Sequence, residues 1–182
     1  MTDLTDLVTD TAASLRLVEP GGGDHWWMLG TLTSIKAGRE ATGGRMTIAE
    51  FELPPGFTLP PHSHRDEDEL FYVLDGEVTF WCDGVERTFT RGGMAWLPRR
   101  KPHTFSVAAD APARMFNIHT GPMFEAMVET LGERTTELRL PDPPDEEPDL
   151  DGIAQVFAQH GIDLAPPGEA RSEEPARVAA NG

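Results

Sequence analysis

Two histidines two residues apart, a glutamate five residues further on and a third histidine about thirty residues later are residue types that together bind a metal: His62, His64, Glu69 and His103. Imidazole nitrogens with a carboxylate suit a first-row divalent ion. In an extended chain, residues i and i+2 point to the same face, so His62 and His64 can share one ion. Glu69 follows Arg65-Asp66-Glu67-Asp68, a run polar enough to bend at the surface, and it opens the apolar stretch ELFYVLDG. Its carboxylate can therefore return to the same interior. His103 leads HTFSV after the proline-bounded turn Pro98-Arg99-Arg100-Lys101-Pro102 and can supply a fourth ligand. Asp66, Glu67 and Asp68 compete as carboxylates. They read as solvated acids, with Asp68 the one to replace Glu69 if any does.

These side chains need a scaffold of strands. From 25 to 120 the chain is a series of short β-branched or aromatic stretches (TLTSI, RMTIAEFEL, ELFYVL, EVTFWC, VERTFT, MAWL, HTFSV, RMFNIHT) cut by turn signals such as PPG, CDG and RGG. Regular short strands with such punctuation predict an all-β sandwich or barrel. Residues 1–24 form an N-terminal arm that ends in Pro20-Gly21-Gly22-Gly23. After Gly121-Pro122 the period turns helical, with Phe124, Met127, Val128 and Leu131 on one face and Gly132 in the place of a cap. Leu150, Ile153, Val156 and Phe157 predict a second helix ended by Gly161. The division is thus an arm (1–24), a barrel (25–120), a helical extension (121–164) with an acidic proline-rich linker at 141–149, and a tail (165–182) too poor in apolar residues to fold.

Composition narrows the function classes. A net charge of −16 repels phosphate backbones, so nucleic acid is excluded as a partner. Much of that charge lies in PDPPDEEPDLD and GEARSEEPAR, which read as solvated segments. No apolar run approaches the roughly eighteen residues of a membrane helix, and the acidic start lacks a secretory pattern, so a cytoplasmic protein without membrane contact is expected. Cys82 is the single cysteine, which rules out an intrachain disulfide or thiolate cluster. It suits a core-filling role.

The spacing resembles the two motifs of the cupin superfamily. The first is matched by Gly56, His62, His64, Glu69 and Gly76 at every fixed position. The other motif is similar to Gly92, Pro98, Arg100, His103 and Val107, with Arg100 in place of a glycine and Val107 in place of an asparagine. GPMFEAMVETLG and DGIAQVFAQHGIDLAPPG are similar to the helical tail of single-domain, quercetin 2,3-dioxygenase-like bacterial cupins. The resemblance implies a cupin (double-stranded β-helix, jelly-roll) barrel with an N-terminal arm and two short C-terminal helices. It also implies one divalent transition metal ion (Fe, Mn, Ni, Co, Cu or Zn) and, by analogy, a homodimer.

By the same resemblance the protein is expected to be a metal-dependent dioxygenase that uses dioxygen to cleave an aromatic or enolic small molecule. Glu69 would then be both ligand and general base. An octahedral ion with four protein ligands keeps two open positions, whereas a tetrahedral zinc would be closed. Phe71 and Val73 share strand parity with Glu69, and Phe105 shares it with His103, so these three are expected to form an apolar substrate pocket. Trp81, Met94 and Trp96 are weaker candidates, and His119 is a further one beside the metal. His25 and His160 read as surface or packing residues. Arg99, Arg100 and Lys101 could meet an anion at the barrel mouth. The alternatives are a non-oxidative isomerase or lyase, which would want a polar interior, and a non-catalytic cupin that binds metal and ligand.

Overall fold

A computed structural model describes residues 13–144 and 148–165. The beginning of the arm, part of the acidic linker and the tail after Ala165 lie outside the described residues. Among the described residues, twelve strands and three helices follow one another as β1 (Asp24–Met28), β2 (Thr31–Ala37), α1 (Arg39–Thr42), β3 (Thr47–Leu53), β4 (His62–His64), β5 (Glu69–Asp75) and β6 (Val78–Cys82), then β7 (Val85–Phe89), β8 (Met94–Leu97), β9 (His103–Val107), β10 (Ala113–His119), α2 (Met123–Leu131), β11 (Glu133–Thr135), α3 (Leu150–Gln159) and β12 (Ile162–Leu164). The strands make two antiparallel sheets, in the order β11-β1-β2-β3-β10-β5-β8 and β12-β4-β9-β6-β7. This is an all-β cupin jelly roll with short C-terminal helices, as the sequence implies.

Alternation along each strand fixes what faces inward. β3 buries Thr47, Ala49, Phe51 and Leu53 and exposes their neighbours more. β5 turns Glu69, Phe71 and Val73 inward, and β9 turns His103, Phe105 and Val107 inward. The two inner faces meet in one core in which Phe71 lies 5.1 Å from Phe105 and 5.4 Å from Phe80, centroid to centroid. Tilted aromatic packing of this kind adds about 0.5–1.5 kcal/mol per pair beyond area burial. On the outer face, Tyr72, Met94 and Trp96 are exposed, so Met94 and Trp96 point away from any interior site.

Both helices predicted from periodicity are present. Helix α2 buries Phe124, Ala126, Met127 and Val128. Gly132 does not close it with a left-handed cap, because its φ is −88° and its ψ 154°. What the position needs is space: a Cβ there would lie 2.7 Å from the Val128 carbonyl oxygen and 3.3 Å from Trp26. Helix α3 starts at Asp149, whose side chain accepts a hydrogen bond from the Gly152 N–H at 3.0 Å. Phe157 anchors it at 5% exposure, while Leu150, placed on the same face by its spacing, is 71% exposed. Among the described residues no helix is long and apolar enough to cross a membrane.

Three strands, β1, β11 and β12, escape the sequence pattern. β11 adds an edge to the larger sheet beside β1. β12 pairs with β4, setting Ile162 opposite His64 and Leu164 opposite His62. The His-x-His strand is therefore held between β12 and β9 rather than left as an edge. Arg65 closes the same junction with a bidentate ion pair to Asp163 and a backbone N–H bond to the Gly161 carbonyl at 2.8 Å. Ile162 is 3% exposed. Truncating it to alanine is expected to lower unfolding free energy by about 2–4 kcal/mol; an unchanged urea midpoint would show that β12 does not brace β4.

Candidate metal centre

Strand geometry brings His62, His64, Glu69 and His103 together, with one ligand atom of each within 4.8 Å of the others and all four side chains buried. The smaller sheet contributes the histidines: His62 and His64 from β4, with His103 directly opposite His62 on β9. Glu69 comes from the facing sheet. The loop 65–68 carries the chain from one sheet to the other between them.

Local hydrogen bonds decide which ring nitrogens face the centre. His62 Nδ1 is 2.9 Å from the Pro60 carbonyl oxygen, and His103 Nδ1 is 2.8 Å from that of Lys101. A carbonyl only accepts, so in both rings Nδ1 carries the proton and Nε2 keeps its lone pair. His62 is held neutral, pushed down to about 3 by burial and by the neighbouring His103 and His64. Burial alone would raise the Glu69 carboxyl, yet His119, His103 and His64 hold it well below the usual carboxylate range. The centre is thus a carboxylate among imidazoles.

The donors fit a cation. His64 Nε2, His103 Nε2 and Glu69 Oε2 are buried without any hydrogen-bond partner, as are both ring nitrogens of the adjacent His119. Glu69 Oε2 lies 3.2 Å from His103 Nε2 and 3.6 Å from His64 Nε2. Leaving one buried polar atom unmatched costs about 1–3 kcal/mol, and a cation could satisfy all three of these at one point.

A cavity of about 50 Å³ opens above the cluster, and Phe71 and Phe105 are among its walls. Val73 has the right parity but lies elsewhere in the core, fully buried and outside the cavity lining. Trp81 lines an outer groove instead. Phe51, Phe57, Leu59, Phe124 and Phe157 complete the apolar wall. They come from elements whose contact with the cavity no strand parity discloses.

The loop carboxylates divide differently from the sequence reading. Asp68 is no alternative ligand, being paired with Arg99 at 2.7 Å, which holds it down to about 2. Glu67 is not a solvated acid but 3% exposed. It accepts the N–H groups of Met123 at 2.6 Å and Phe124 at 3.3 Å, so it caps α2 from a distant loop. His119 is fully buried between Glu67 and Glu69. His64, Glu67 and His119 also bring ligand atoms within 4.8 Å of one another. Arg100 and Lys101 face Asp66 and Asp83, so the basic triplet is spent on local ion pairs. His25 bonds Ser34, and His160 packs under α3.

The motif glycines are placed as a jelly roll requires. Gly76 has a φ of 83°, and a Cβ there would meet the Pro112 carbonyl oxygen at 2.6 Å. Arg100, standing where the second motif has glycine, takes a φ of 63° and keeps the turn by donating from its backbone N–H to His64 O at 2.7 Å.

Comparison with known proteins agrees with the fold. Residues 49–119 match the family described as a cupin domain, and this part of the chain is a cupin domain. It is 28% identical over 117 residues to quercetin 2,3-dioxygenase of Bacillus subtilis (strain 168), which spans 64% of this chain and 34% of that protein. It is 34% identical over 121 residues to germin-like protein 3-1 of Oryza sativa subsp. japonica, 62% of this chain and 53% of that protein. Among solved structures it is similar to KdgF from Halomonas sp., with a TM-score of 0.49 and 15% identity over 59% of this chain and 94% of that one. The chain spans 34% to 58% of the length of the curated relatives it matches.

The shifts have a consequence for stability. His62, His64, Glu67 and Glu69 are all lowered in the folded state. A lowered folded pKa means that the unfolded chain binds the extra protons as pH falls, so the stability is present above the unfolded value and is lost below it. For His62 the window runs from 6.5 down to about 3. The melting temperature of the metal-free protein is expected to fall steadily across that interval; a flat profile there would contradict the buried neutral state of His62.

Proposed function

We propose that this cupin holds one first-row divalent transition ion through His62, His64, Glu69 and His103, and that it is a dioxygenase acting on an enolic or phenolic small molecule. The observation that carries the reading is the convergence of unpartnered, buried donor atoms on the floor of an apolar cavity. The likeness to quercetin 2,3-dioxygenase supports the class of reaction.

When bound, such an ion supplies Lewis acidity and one-electron redox chemistry. The chain's own groups do the rest. Glu69, held ionised, is the general base, and the substrate's acidic O–H proton goes to the lone pair of Oε2 that does not ligate. Phe71 and Phe105 orient the ring or enol face and keep water out, while Val73 backs them from within the core. A cavity of about 50 Å³ is a fraction of the roughly 150 Å³ that admits a benzene ring. Size therefore favours a small enol over a flavonol unless the walls move apart. Beyond the proposed ligands, the polar side chains on the walls among the described residues are Thr31, Thr33 and His119, few enough to weigh against a sugar or oxo-acid isomerase.

Metal-loaded protein incubated with a cyclic 1,3-diketone and with quercetin, in air and without oxygen, tests the reading. Consumption of at least one of them with matching oxygen uptake is expected, and Glu69→Gln should slow it by about a hundredfold or more. Turnover that continues unchanged without oxygen would rule out the dioxygenase.

A further inference from the structure

Glu69 is a carboxylate with two oxygens, and the fold treats them differently. Oε2 faces His103 Nε2 at 3.2 Å and His64 Nε2 at 3.6 Å. Oε1 faces the other way, toward β10. There it accepts a hydrogen bond from Asn117 Nδ2 at 3.0 Å and lies 3.1 Å from His119 Nε2. Asn117 and His119 are both fully buried, and β10 pairs with β5 so that His119 sits directly opposite Glu69.

His119 meets three further groups. Its ring stacks on Phe124 with centroids 4.2 Å apart and planes 2° from parallel. Its Nδ1 lies 3.5 Å from Glu67 Oε2, the carboxylate that caps α2. Its ring meets that of His64 edge-on, with centroids 5.0 Å apart. It does not join the compact set of His62, His64, Glu69 and His103.

We infer that His119, with Asn117, is a positioning residue that occupies Oε1 of Glu69 so that the carboxylate offers only Oε2 to the ion. The inference rests on the proposed metal centre and assigns the loop, β10 and α2 a shared task there. Glu67 holds His119, His119 and Asn117 hold Oε1, and a single oxygen is left to ligate. An unrestrained carboxylate would be free to offer both oxygens and take up one more coordination position. His119 then helps determine how many positions stay open to a substrate.

The test titrates Co(II) into the full chain and compares wild type with His119→Phe, His119→Gln and His103→Ala, following affinity and the visible d–d absorption. Phe keeps the stack on Phe124 and removes both nitrogens; Gln restores a donor, and it keeps the question open if the Phe variant fails to fold. His119→Phe is expected to weaken binding about ten- to a hundredfold and to change the d–d spectrum. Gln should return both toward wild type, and His103→Ala should abolish stoichiometric binding. Phe and Gln variants with wild-type affinity and spectrum would overturn the inference and leave the metal centre standing. Loss of binding in the folded Phe or Gln variant as complete as in His103→Ala would make His119 a ligand and overturn it too. A wild type that takes up no cobalt would instead overturn the centre itself, and the inference with it.

Discussion

A carboxylate buried among imidazoles, with one oxygen that no donor satisfies, is the constraint around which the structure is arranged. Taking an ionised group out of water costs several kcal/mol unless charge and hydrogen bonds replace the lost solvent. Glu69 is 4% exposed. Asn117 and His119 on β10 face one of its oxygens, and His103 on β9 and His64 on β4 face the other, so groups from both sheets surround it. The barrel must therefore keep its two sheets in register at this level. A slip of one residue in β5 would turn Glu69 outward and bring Leu70 in.

The surrounding elements serve that register. β4 is only three residues long, and it stays in place because β9 lies on one side and β12 on the other. The loop after it is laced to the start of α2: Asp68 N donates to Thr120 Oγ1 at 2.8 Å, and Glu67 takes the first N–H groups of the helix. A Cβ on Gly121 would lie 2.3 Å from Glu67 Oε1, so the helix start and the buried acid are fitted to each other. The C-terminal helices are thus part of the site's support, and Phe124 and Phe157 also wall its cavity.

How much of this the sequence discloses depends on range. The period of two puts His62 with His64, and Glu69 with Phe71, because strand alternation is a local property. Parity tells a face and not a depth, which is why Val73 shares Glu69's face without reaching the cavity. Glu67 sits in an acidic run whose polarity points to solvent, and what buries it, the Met123 N–H, is 56 residues away. His119 follows Asn117 in RMFNIHT with the right alternation, yet its place beside Glu69 depends on β10–β5 register, which no local pattern encodes. β11 and β12 have three residues each, too few to show any period.

The most direct test of the central claim is anomalous diffraction at a transition-metal edge from crystals of protein purified without chelators. One peak is predicted, about 2.0–2.2 Å from Nε2 of His62, His64 and His103 and from Glu69 Oε2. A peak bonded instead to His64, Glu67 and His119, or no peak in crystals of folded protein, would contradict it.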